Sequence, residues 1–327
     1  KPSVIRCWTR PADPKAPGKH FERLVHSAIF SGVDILNIQF NFSFIHADGL
    51  RHVISALAEH GIPSVVTLHS VTNPRFLDYA DAFRMAAACF VHRVSDVDKL
   101  KAAGVKNVYH IDQGIPAVSA AVRQRPAAPN SSITTLASFG FILPPKGVYE
   151  LIQAFRLVSR FNPNLRLKLF NALYPIPDST EYASLCRNLM NQFGLGTKVD
   201  LCTAFLENRE VIAELAKTDL IVLPYTYSSE SASAAIRIPM ASATPILCSD
   251  LSIFDEFHSV VHRFRAGDVF DLSRKLLLLT QDPVLRNRYR AQQEQILDRL
   301  GWPRVGRRIL SLMKEALAMT GKKVAGA

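Results

Sequence analysis

The chain has 327 residues, of which 48% are hydrophobic, with a formal net charge of +11 and five cysteines. This length exceeds that of an ordinary domain and fits two domains of about 150 residues each. No apolar run reaches the roughly 20 residues that a membrane span needs, and the start of the chain does not resemble a secretion signal. The scattered, odd-numbered cysteines disfavour a disulfide framework, so we expect reduced, mostly buried thiols in a cytoplasmic protein.

The positive charge is concentrated towards the end of the chain. From Val261 to Ala327 there are 14 Lys and Arg against 6 Asp and Glu, a net +8. A basic surface favours an anionic partner, here peripheral binding to the inner face of the cell membrane. A solvated helix face explains the same charge, and both interpretations stay open. Nucleic acid is not expected, because the basic segment has no interleaved aromatic residues and no recognised binding motif.

In the first half of the chain, short apolar runs alternate with amphipathic patterns. The apolar runs predict strands at 34–40, 63–69, 89–92 and 107–111. The patterns between them predict helices at 19–31, 48–59, 75–87 and 95–103. Continuous apolar strands separated by helices are typical of a parallel sheet in an α/β domain.

The same alternation restarts after a polar, proline-rich linker at 123–132. Strands are predicted at 133–138, 166–173, 219–225 and 245–250. Helices are predicted at 148–158, 179–193 (capped by Asp178 or Ser179), 209–216, 269–280, 283–299 and 303–318. The chain therefore reads as two doubly wound α/β units, with the expected ligand site in the cleft between them, at the carboxyl ends of the strands.

Two segments of the second half resemble a known family. The segment "ASFGFILPPKGVYELIQAF" (137–155) resembles the Gly-x-x-x-x-x-Lys-Gly turn that opens the second domain of family 4 glycosyltransferases. The segment "LPYTYSSESASAAIRIPMASATPILCSD" (223–250) is similar to their donor-binding segment, in which a Glu after a strand is followed by a second Glu. Weaker similarity extends over "DILNIQF", "VVTLHS", "VHRVSDVDKLKAAGV", "VYHIDQGI" and the terminal "GWPRVGRRILSLMKEAL".

This resemblance implies the GT-B fold, in which two Rossmann-like domains face each other across a cleft. The implied division is an acceptor-side domain at 1–125, a donor domain at 126–302 and a terminal helix at 303–327 that crosses back to the first domain. The implied activity is the retaining transfer of a hexose from a GDP- or UDP-linked sugar to a glycan or lipid-linked acceptor. The resemblance implies neither a bound metal nor another cofactor.

The resemblance also implies a donor site on particular residues. In the first segment it covers Gly140, Phe141 and Lys146, and the compact charge of Lys146 suits donor phosphates. In the second it covers Glu230 and the small residues Ser231, Ala232 and Ser233. We expect these small residues at a helix N-terminus, where backbone N–H groups can approach phosphate while Glu230 accepts hydrogen bonds from sugar hydroxyls. A closely packed helix with Glu230 as a first-turn charge is the structural alternative.

A histidine in the first half carries the remaining predicted role. His69 ends the strand in "VVTLH", and the resemblance implies that it hydrogen-bonds the reacting sugar or assists the departing phosphate. A buried structural histidine is the alternative. His46 and His110 also follow strands and rank below His69. The pair Asp96 and Asp98 is assigned to a helix start rather than to a metal site.

Three departures from the family pattern put activity in question. The second Glu of the motif falls on Ile238, which cannot accept hydrogen bonds from a ribose, and the Arg that often follows Gly140 is Phe141. The first domain also lacks the family's opening strand and Gly-rich loop. We expect Arg237 to compensate by sharing a helical face with Glu230 and gripping donor phosphate.

The alternative for Arg237 is a buried salt bridge. That arrangement would favour the rival hypothesis, a non-catalytic GT-B module of a larger or multi-subunit enzyme. A sugar-nucleotide epimerase on the same fold is a weaker rival, because its several first-domain catalytic carboxylates are not found.

Overall fold

The computed structural model describes residues 21–123, 134–230 and 232–321. These residues form two compact units. The first unit comprises the chain up to Gln113, the short segment Ser229–Ala232 and the chain from Val305 onwards. The second comprises Gly114–Ser228 and Ser233–Arg304. The boundary therefore falls at Gln113 rather than at 125, because Ile115 N–H donates to the carbonyl of Leu300 and so joins its segment to the second unit.

The first unit is built on a four-stranded parallel sheet with the order β1-β2-β3-β4. Its strands are β1 (Leu36–Phe40), β2 (Ser64–Leu68), β3 (Ala88–Val91) and β4 (Val108–His110). Its helices in this part of the chain are α1 (Glu22–Phe30), α2 (Ala47–Glu59), α3 (Ala80–Met85) and α4 (Val94–Ala102), with a 3-10 helix at Pro74–Tyr79 before α3.

The second unit is built on a six-stranded parallel sheet. Its strands are β5 (Thr134–Phe141), β6 (Leu165–Ala172), β7 (Val199–Cys202), β8 (Leu220–Leu223), β9 (Ile246–Ser249) and β10 (His262–Phe264). The helices from residue 114 onwards are α5 (Ala120–Arg123), α6 (Val148–Val158), α7 (Pro177–Gln192), α8 (Asn208–Ala216), α9 (Arg237–Ala241), α10 (Val269–Gln281), α11 (Pro283–Leu300) and α12 (Trp302–Met319). Two 3-10 helices lie at Pro144–Lys146 and Ser252–Phe257.

The two central strands of the first sheet, β2 and β3, are buried on both faces. One face packs against α2, α3 and α4 in a single apolar cluster. The other face is covered by α12, whose Leu312 and Ala316 form a buried cluster with Val65, Ala88 and Phe90. Since successive residues of a strand point to opposite faces, a strand covered on both sides must be apolar throughout. This explains the continuous apolar runs from which the strands were predicted.

The second sheet has the strand order β10-β9-β8-β5-β6-β7. The order reverses between β5 and β8, which are neighbours in the sheet although they are distant in sequence. Helices α6, α7 and α10 cover one face, and α8, α9 and α11 cover the other. In such a sheet, loops that leave the two central strands diverge and open a crevice at their carboxyl ends. The segments after β5 and β8 are therefore placed for ligand binding.

The predicted α/β fold with two parallel-sheet units is confirmed, with local corrections. The predicted helix at 75–87 is a 3-10 helix followed by the short α3. Helix α7 begins at Pro177 with Ile176 as its N-cap, so the predicted caps Asp178 and Ser179 are wrong. A proline suits the first helical position because it has no N–H to leave unsatisfied. The edge strands β7 and β10 were missed because Asp200 interrupts the first and His262 and Arg263 the second, so neither forms a continuous apolar run.

The described cysteines behave as expected of buried thiols. Cys89, Cys186 and Cys248 are buried, and burial raises the pKa of each thiol to about 12. Cys202 is half-buried, and none of these four forms a disulfide bond. Such thiols are poor nucleophiles at neutral pH, because the thiolate is the reactive form.

Candidate active site

A line of hydrogen-bonded groups crosses the carboxyl edge of the first sheet. His69, which follows β2, places Nε2 3.0 Å from Oε1 of Gln39 and Nδ1 3.2 Å from Nε2 of His92. His92 follows β3, and its Nδ1 lies 3.1 Å from the carbonyl oxygen of Ile111. Strand register explains this line, since Leu68 pairs with Val91 and Val91 pairs with His110. The residues that follow these positions are therefore neighbours.

His69 is close enough to Glu230 for the carboxylate to act on its charge. Partial burial lowers the pKa of His69 below its usual 6.5, and the negative charge of Glu230 opposes that shift. Burial disfavours the charged form of an imidazole, whereas a nearby carboxylate favours it. His69 is therefore neutral at neutral pH, and the structure brings together two residues that the sequence predicts to hold a sugar.

The segment Ser229–Ala232 joins the first unit through backbone contacts. The carbonyl oxygen of Ser229 accepts hydrogen bonds from Oγ of Ser70 at 3.4 Å and Oγ1 of Thr72 at 2.5 Å. Ser70 and Thr72 follow directly after His69 in the loop that leaves β2. These bonds position Glu230, which is exposed, beside His69.

The turn that carries Lys146 lies where β5 leaves the second sheet, at its switch point. The Lys146 ammonium lies 4.0 Å from the centre of the Tyr225 ring, and Tyr225 follows β8 across the switch point. Such a cation–π contact holds the charge without neutralising it. The Lys146 side chain is half-buried. It therefore supplies a positioned cation where the fold favours an anion.

Gly147 makes this turn possible. Its φ is +69°, and a Cβ added there would lie 1.7 Å from the carbonyl oxygen of Pro224. Thr226 N–H donates to the carbonyl of Pro145 at 3.0 Å, which ties the two loops together. Gly140, with φ +141°, is the penultimate residue of β5, and a Cβ added there would lie 3.7 Å from the Tyr225 hydroxyl. Only glycine adopts these conformations and spacings without strain.

The neighbouring Phe141 contributes an aromatic contact rather than charge. Its ring meets that of Tyr174 edge to face, with 5.0 Å between the ring centres. This geometry is favourable between aromatic rings. The position at which the family often has a cation is thus occupied by a packed, half-buried ring.

The predicted cradle at the start of a helix after Glu230 is wrong. Helix α9 begins only at Arg237, and the described residues before it are not helical. The physical reason is Pro239, which is tolerated in the first turn of a helix but not in its interior. Ala232 and Ser233 are buried, and Oγ of Ser233 accepts a hydrogen bond from Ile236 N–H at 3.3 Å. Ser231 lies outside the described residues.

Arg237 does not occupy the predicted position either. It starts α9, so it cannot share a helical face with Glu230. Its side chain is buried, pairs with Glu256 and lies 5.0 Å from the centre of the Phe257 ring. Taking a guanidinium out of water is costly unless a carboxylate compensates it. Glu256 therefore explains where Arg237 points, and this is the buried salt bridge that the sequence left open.

The lower-ranked candidates have structural explanations or remain exposed. Nδ1 of His46 accepts a hydrogen bond from Gly49 N–H at 3.0 Å and so caps α2. His110 is exposed at the end of β4. Asp96 lies in the first turn of α4, as the helix-start interpretation predicts. No group of three His, Cys, Asp or Glu residues in the described part of the chain could hold a metal ion.

Sequence reasoning missed Gln39, His92 and Tyr225. The signal for His92 was present, since it directly follows a buried strand as His69 does. Recognising the pair required the register between β2 and β3, which the strand pattern alone does not provide. Tyr225 lies in the predicted strand at 219–225, and no local signal shows that its ring contacts Lys146.

Comparison with known proteins supports the fold and the type of protein. No family model matches the chain. A segment of 115 residues is 31% identical to a phosphatidyl-myo-inositol mannosyltransferase of Mycobacterium leprae, and it spans 34% of this chain and 30% of that relative. The chain thus matches less than a third of the length of that curated relative.

Solved structures match almost the whole chain at low identity. A sucrose-phosphate synthase from Thermosynechococcus elongatus is 14% identical with a TM-score of 0.71, over 92% of this chain and 79% of that one. A glycosyltransferase from Rickettsia africae is 11% identical with a TM-score of 0.73, over 96% and 84%. An Anabaena protein solved with UDP and glucose is 15% identical with a TM-score of 0.69, over 92% and 84%. The chain therefore has the GT-B fold of solved glycosyltransferases.

Proposed function

We propose that this protein is a retaining glycosyltransferase that moves a hexose from a nucleotide diphosphate sugar to an acceptor without a bound metal. The observation that carries the proposal is the Lys146 turn, which sets a cation at the switch point of the second sheet. An α/β sheet binds its ligand at this point, and a diphosphate needs a cation there. The GT-B fold and the mannosyltransferase similarity support the same class of reaction.

In the proposed reaction, the bond between the anomeric carbon and the diphosphate breaks and its electron pair stays on the phosphate oxygen. The acceptor hydroxyl oxygen forms the new bond to the anomeric carbon, and its proton goes to the leaving diphosphate oxygen. Lys146 stabilises the charge that develops on the leaving diphosphate, an electrostatic effect that is strongest where the charge is held in place beforehand. Retention is inferred from the resemblance to family 4.

His69 and Glu230 are proposed to hold the transferred sugar. The pKa of His69 is lowered by burial, so its ring is neutral and keeps one lone pair for a hydroxyl. The exposed carboxylate of Glu230 accepts hydrogen bonds only, which also suits hydroxyl groups.

The donor is proposed to be linked to UDP or GDP. The Anabaena protein of the same fold was solved with UDP and glucose and also with UDP-glucose. The relative from Mycobacterium leprae is described as a mannosyltransferase acting on phosphatidyl-myo-inositol. A lipid-linked or glycan acceptor is therefore proposed for this chain.

A non-catalytic GT-B module is the second candidate, and a specific observation favours it. Arg237 is buried against Glu256, so it does not replace the missing cation at Phe141. Ile238 cannot accept the ribose hydrogen bonds that a second Glu would accept. Under this alternative, the chain keeps the fold and its interactions but does not turn over a donor.

Incubation of the full chain with GDP- and UDP-linked hexoses separates the two candidates. A bound nucleotide must raise the melting temperature if it binds only the folded state. The enzyme proposal requires such a shift with one nucleotide, together with sugar transfer or slow donor hydrolysis. Glu230→Ala should abolish turnover, whereas Glu59→Ala, at an exposed position of α2, should not change it. A shift without turnover on any donor would favour the non-catalytic module.

Peripheral binding to an anionic membrane is also proposed. Arg304, Arg307, Arg308 and Lys314 are exposed on α12. No helix in the described ranges is both long and apolar enough to cross a bilayer, so the proposal concerns surface binding. Sedimentation with anionic vesicles should decrease steeply as salt rises, because salt screens exposed charges. Equal binding to neutral and anionic vesicles would contradict it.

A further inference from the structure

A continuous hydrogen-bonded chain crosses the carboxyl edge of the first sheet, with Gln39 in the penultimate position of β1 and the other three members directly after β2, β3 and β4. The chain runs from the exposed Gln39 amide through His69 and His92 to the carbonyl oxygen of Ile111. His92 is 8% exposed and Ile111 is 3% exposed, so the chain is anchored in the interior and opens to solvent at Gln39. Each ring nitrogen of both histidines has a partner in this chain.

The hydrogens in this chain can be counted from its buried end. A carbonyl oxygen only accepts, so Nδ1 of His92 carries a hydrogen. If His92 is neutral, its Nε2 keeps a lone pair, and Nδ1 of His69 must then donate to it. If His69 is neutral as well, its own Nε2 keeps a lone pair. The direction of each bond in the neutral pair of rings therefore follows from the Ile111 carbonyl.

The outer end of the chain is the adjustable part. A lone pair on Nε2 of His69 requires the amide NH₂ of Gln39 to face it, and the carboxamide oxygen and nitrogen exchange places by a half-turn of that group. In the structure Oε1 faces Nε2 at 3.0 Å, and this opposite orientation requires one additional proton on the two rings. The neutral pair of rings therefore requires the half-turn of the Gln39 amide. The Gln39 orientation therefore reports whether the two rings together carry two hydrogens or three.

We propose that His92 is a positioning residue that fixes the tautomer of His69, so that His69 presents the lone pair of Nε2 to a donating hydroxyl group of the substrate. The inference rests on the proposed function for the identity of that hydroxyl, which belongs to the transferred sugar. Because Gln39 is exposed, the hydroxyl can replace its amide as the donor to Nε2. His69 thus acts as a hydrogen-bond acceptor rather than as an acid.

Two groups act on the charge of this pair from the surrounding elements. Glu230, from the segment that joins the first unit, favours protonation of His69, whereas burial opposes it and has the larger effect. His92 is the titratable group in direct contact with His69. Because the pKa of His69 lies below 6.5, the ordinary value for histidine, the His69 ring is neutral above that pH. Below the pKa of His69, the extra proton turns Nε2 into a donor, and hydroxyl binding of this kind is lost.

Nitrogen NMR of the full chain labelled on histidine tests the tautomer directly, without any activity. His69 is assigned by comparison with His69→Gln. We expect wild-type His69 at pH 7.5 to carry its hydrogen on Nδ1, with Nε2 unprotonated. In His92→Phe, which keeps a ring but removes both nitrogens, the two His69 tautomers should become mixed. His60→Phe, at an exposed histidine after α2, should leave His69 unchanged.

Kinetics with the nucleotide sugar that the chain is found to turn over test the positioning role of His92. His92→Phe should lower kcat by about 10- to 100-fold, the range for removing a group that orients a functional imidazole, with little change in KM. His92→Gln serves if the Phe variant does not fold, because its amide can fill the place of Nε2 but does not dictate which His69 nitrogen carries hydrogen. Either variant should also change the acid limb of the pH profile.

Wild-type His69 with its hydrogen on Nε2 at pH 7.5 would overturn the inference. So would a tautomer or a kcat that both substitutions leave unchanged. Failure of the proposed function has a different signature: no donor is turned over by the wild-type chain, while the NMR spectra still decide the tautomer.

Discussion

The carboxyl edges of the two sheets are built in different ways. In the first unit, side chains from successive strands form the site, and their positions follow from strand register. In the second unit, a glycine turn is pressed against the backbone of a neighbouring loop, and one lysine projects from it. The first edge therefore supplies adjustable hydrogen bonds, whereas the second supplies a rigidly placed charge. Substitutions should consequently alter chemistry at the first edge and alter structure as well as chemistry at the second.

The largest effect is expected from Gly147→Ala. A Cβ there meets the Pro224 carbonyl oxygen at 1.7 Å and the residue has φ +69°, so backbone must move against backbone. We expect the free energy of unfolding to fall by about 3–5 kcal/mol. Urea denaturation measures it. Gly194→Ala is the matched control, since φ there is +63° and nothing lies within 4 Å of the added Cβ. If both variants lose the same roughly 1–2 kcal/mol of stability, conformational strain alone explains the loss. The close contact between residue 147 and the Pro224 carbonyl would then be contradicted.

Lys146→Ala removes the positive charge but keeps the glycine turn that carries it. We expect transfer to fall by about 100- to 1,000-fold, the usual loss when a group that stabilises developing charge is removed. Stability should change by about 1–2 kcal/mol, because the Tyr225 ring in this cation–π contact is buried and Lys146 is half-buried. Initial rates and thermal melts measure the two effects. Lys217→Ala, at an exposed lysine after α8, should keep full activity. Unchanged transfer in Lys146→Ala would remove Lys146 from the donor site.

Glu256→Ala tests whether Arg237 is structural. Removing one partner of a fully buried pair costs about 3–5 kcal/mol, and the partial exposure of Glu256 should reduce the loss to about 2–3 kcal/mol. Equilibrium unfolding measures the loss, and the exposed pair Arg75–Asp78 provides a control through Asp78→Ala, which should cost little. A variant that keeps its stability but loses affinity for nucleotide would instead place Arg237 in the donor site.

The smallest effect is expected from pH. The pKa values of His69 and His262 are lowered, in both cases chiefly by burial. Between these values and 6.5 the unfolded chain binds more protons than the folded one, so stability should fall as pH falls below 6.5. Urea unfolding from pH 7.5 to pH 5 measures the slope, which His69→Gln should reduce.

Glu230 sharpens the same test at the first edge. Glu230→Gln removes the charge that raises the pKa of His69, so that pKa should fall further below its usual value. NMR titration of His69 detects the shift. A pKa that stays the same in Glu230→Gln would mean that the carboxylate does not act on His69.

Much of the fold and part of the site were predictable because the relevant signals are local. Apolar runs located the strands of both sheets except β7 and β10, whose polar and charged residues break the apolar pattern. The lysine and glycine of the turn after β5 were recognised through the resemblance of the segment 137–155 to a family motif, not from periodicity. The expected helix after Glu230 failed although a local signal, Pro239, was available to exclude it.

The sequence by itself determined the α/β class, the division into two halves and the Lys146–Gly147 turn. Tertiary structure alone decided that Glu230 lies beside His69, that His92 anchors His69, and that Arg237 pairs with Glu256. Hydrophobic period and turn chemistry act over a few residues, so they can be read along the chain. The partners of a buried charge or a ring nitrogen are instead set by strand register and packing, which bring together residues that are far apart in the sequence.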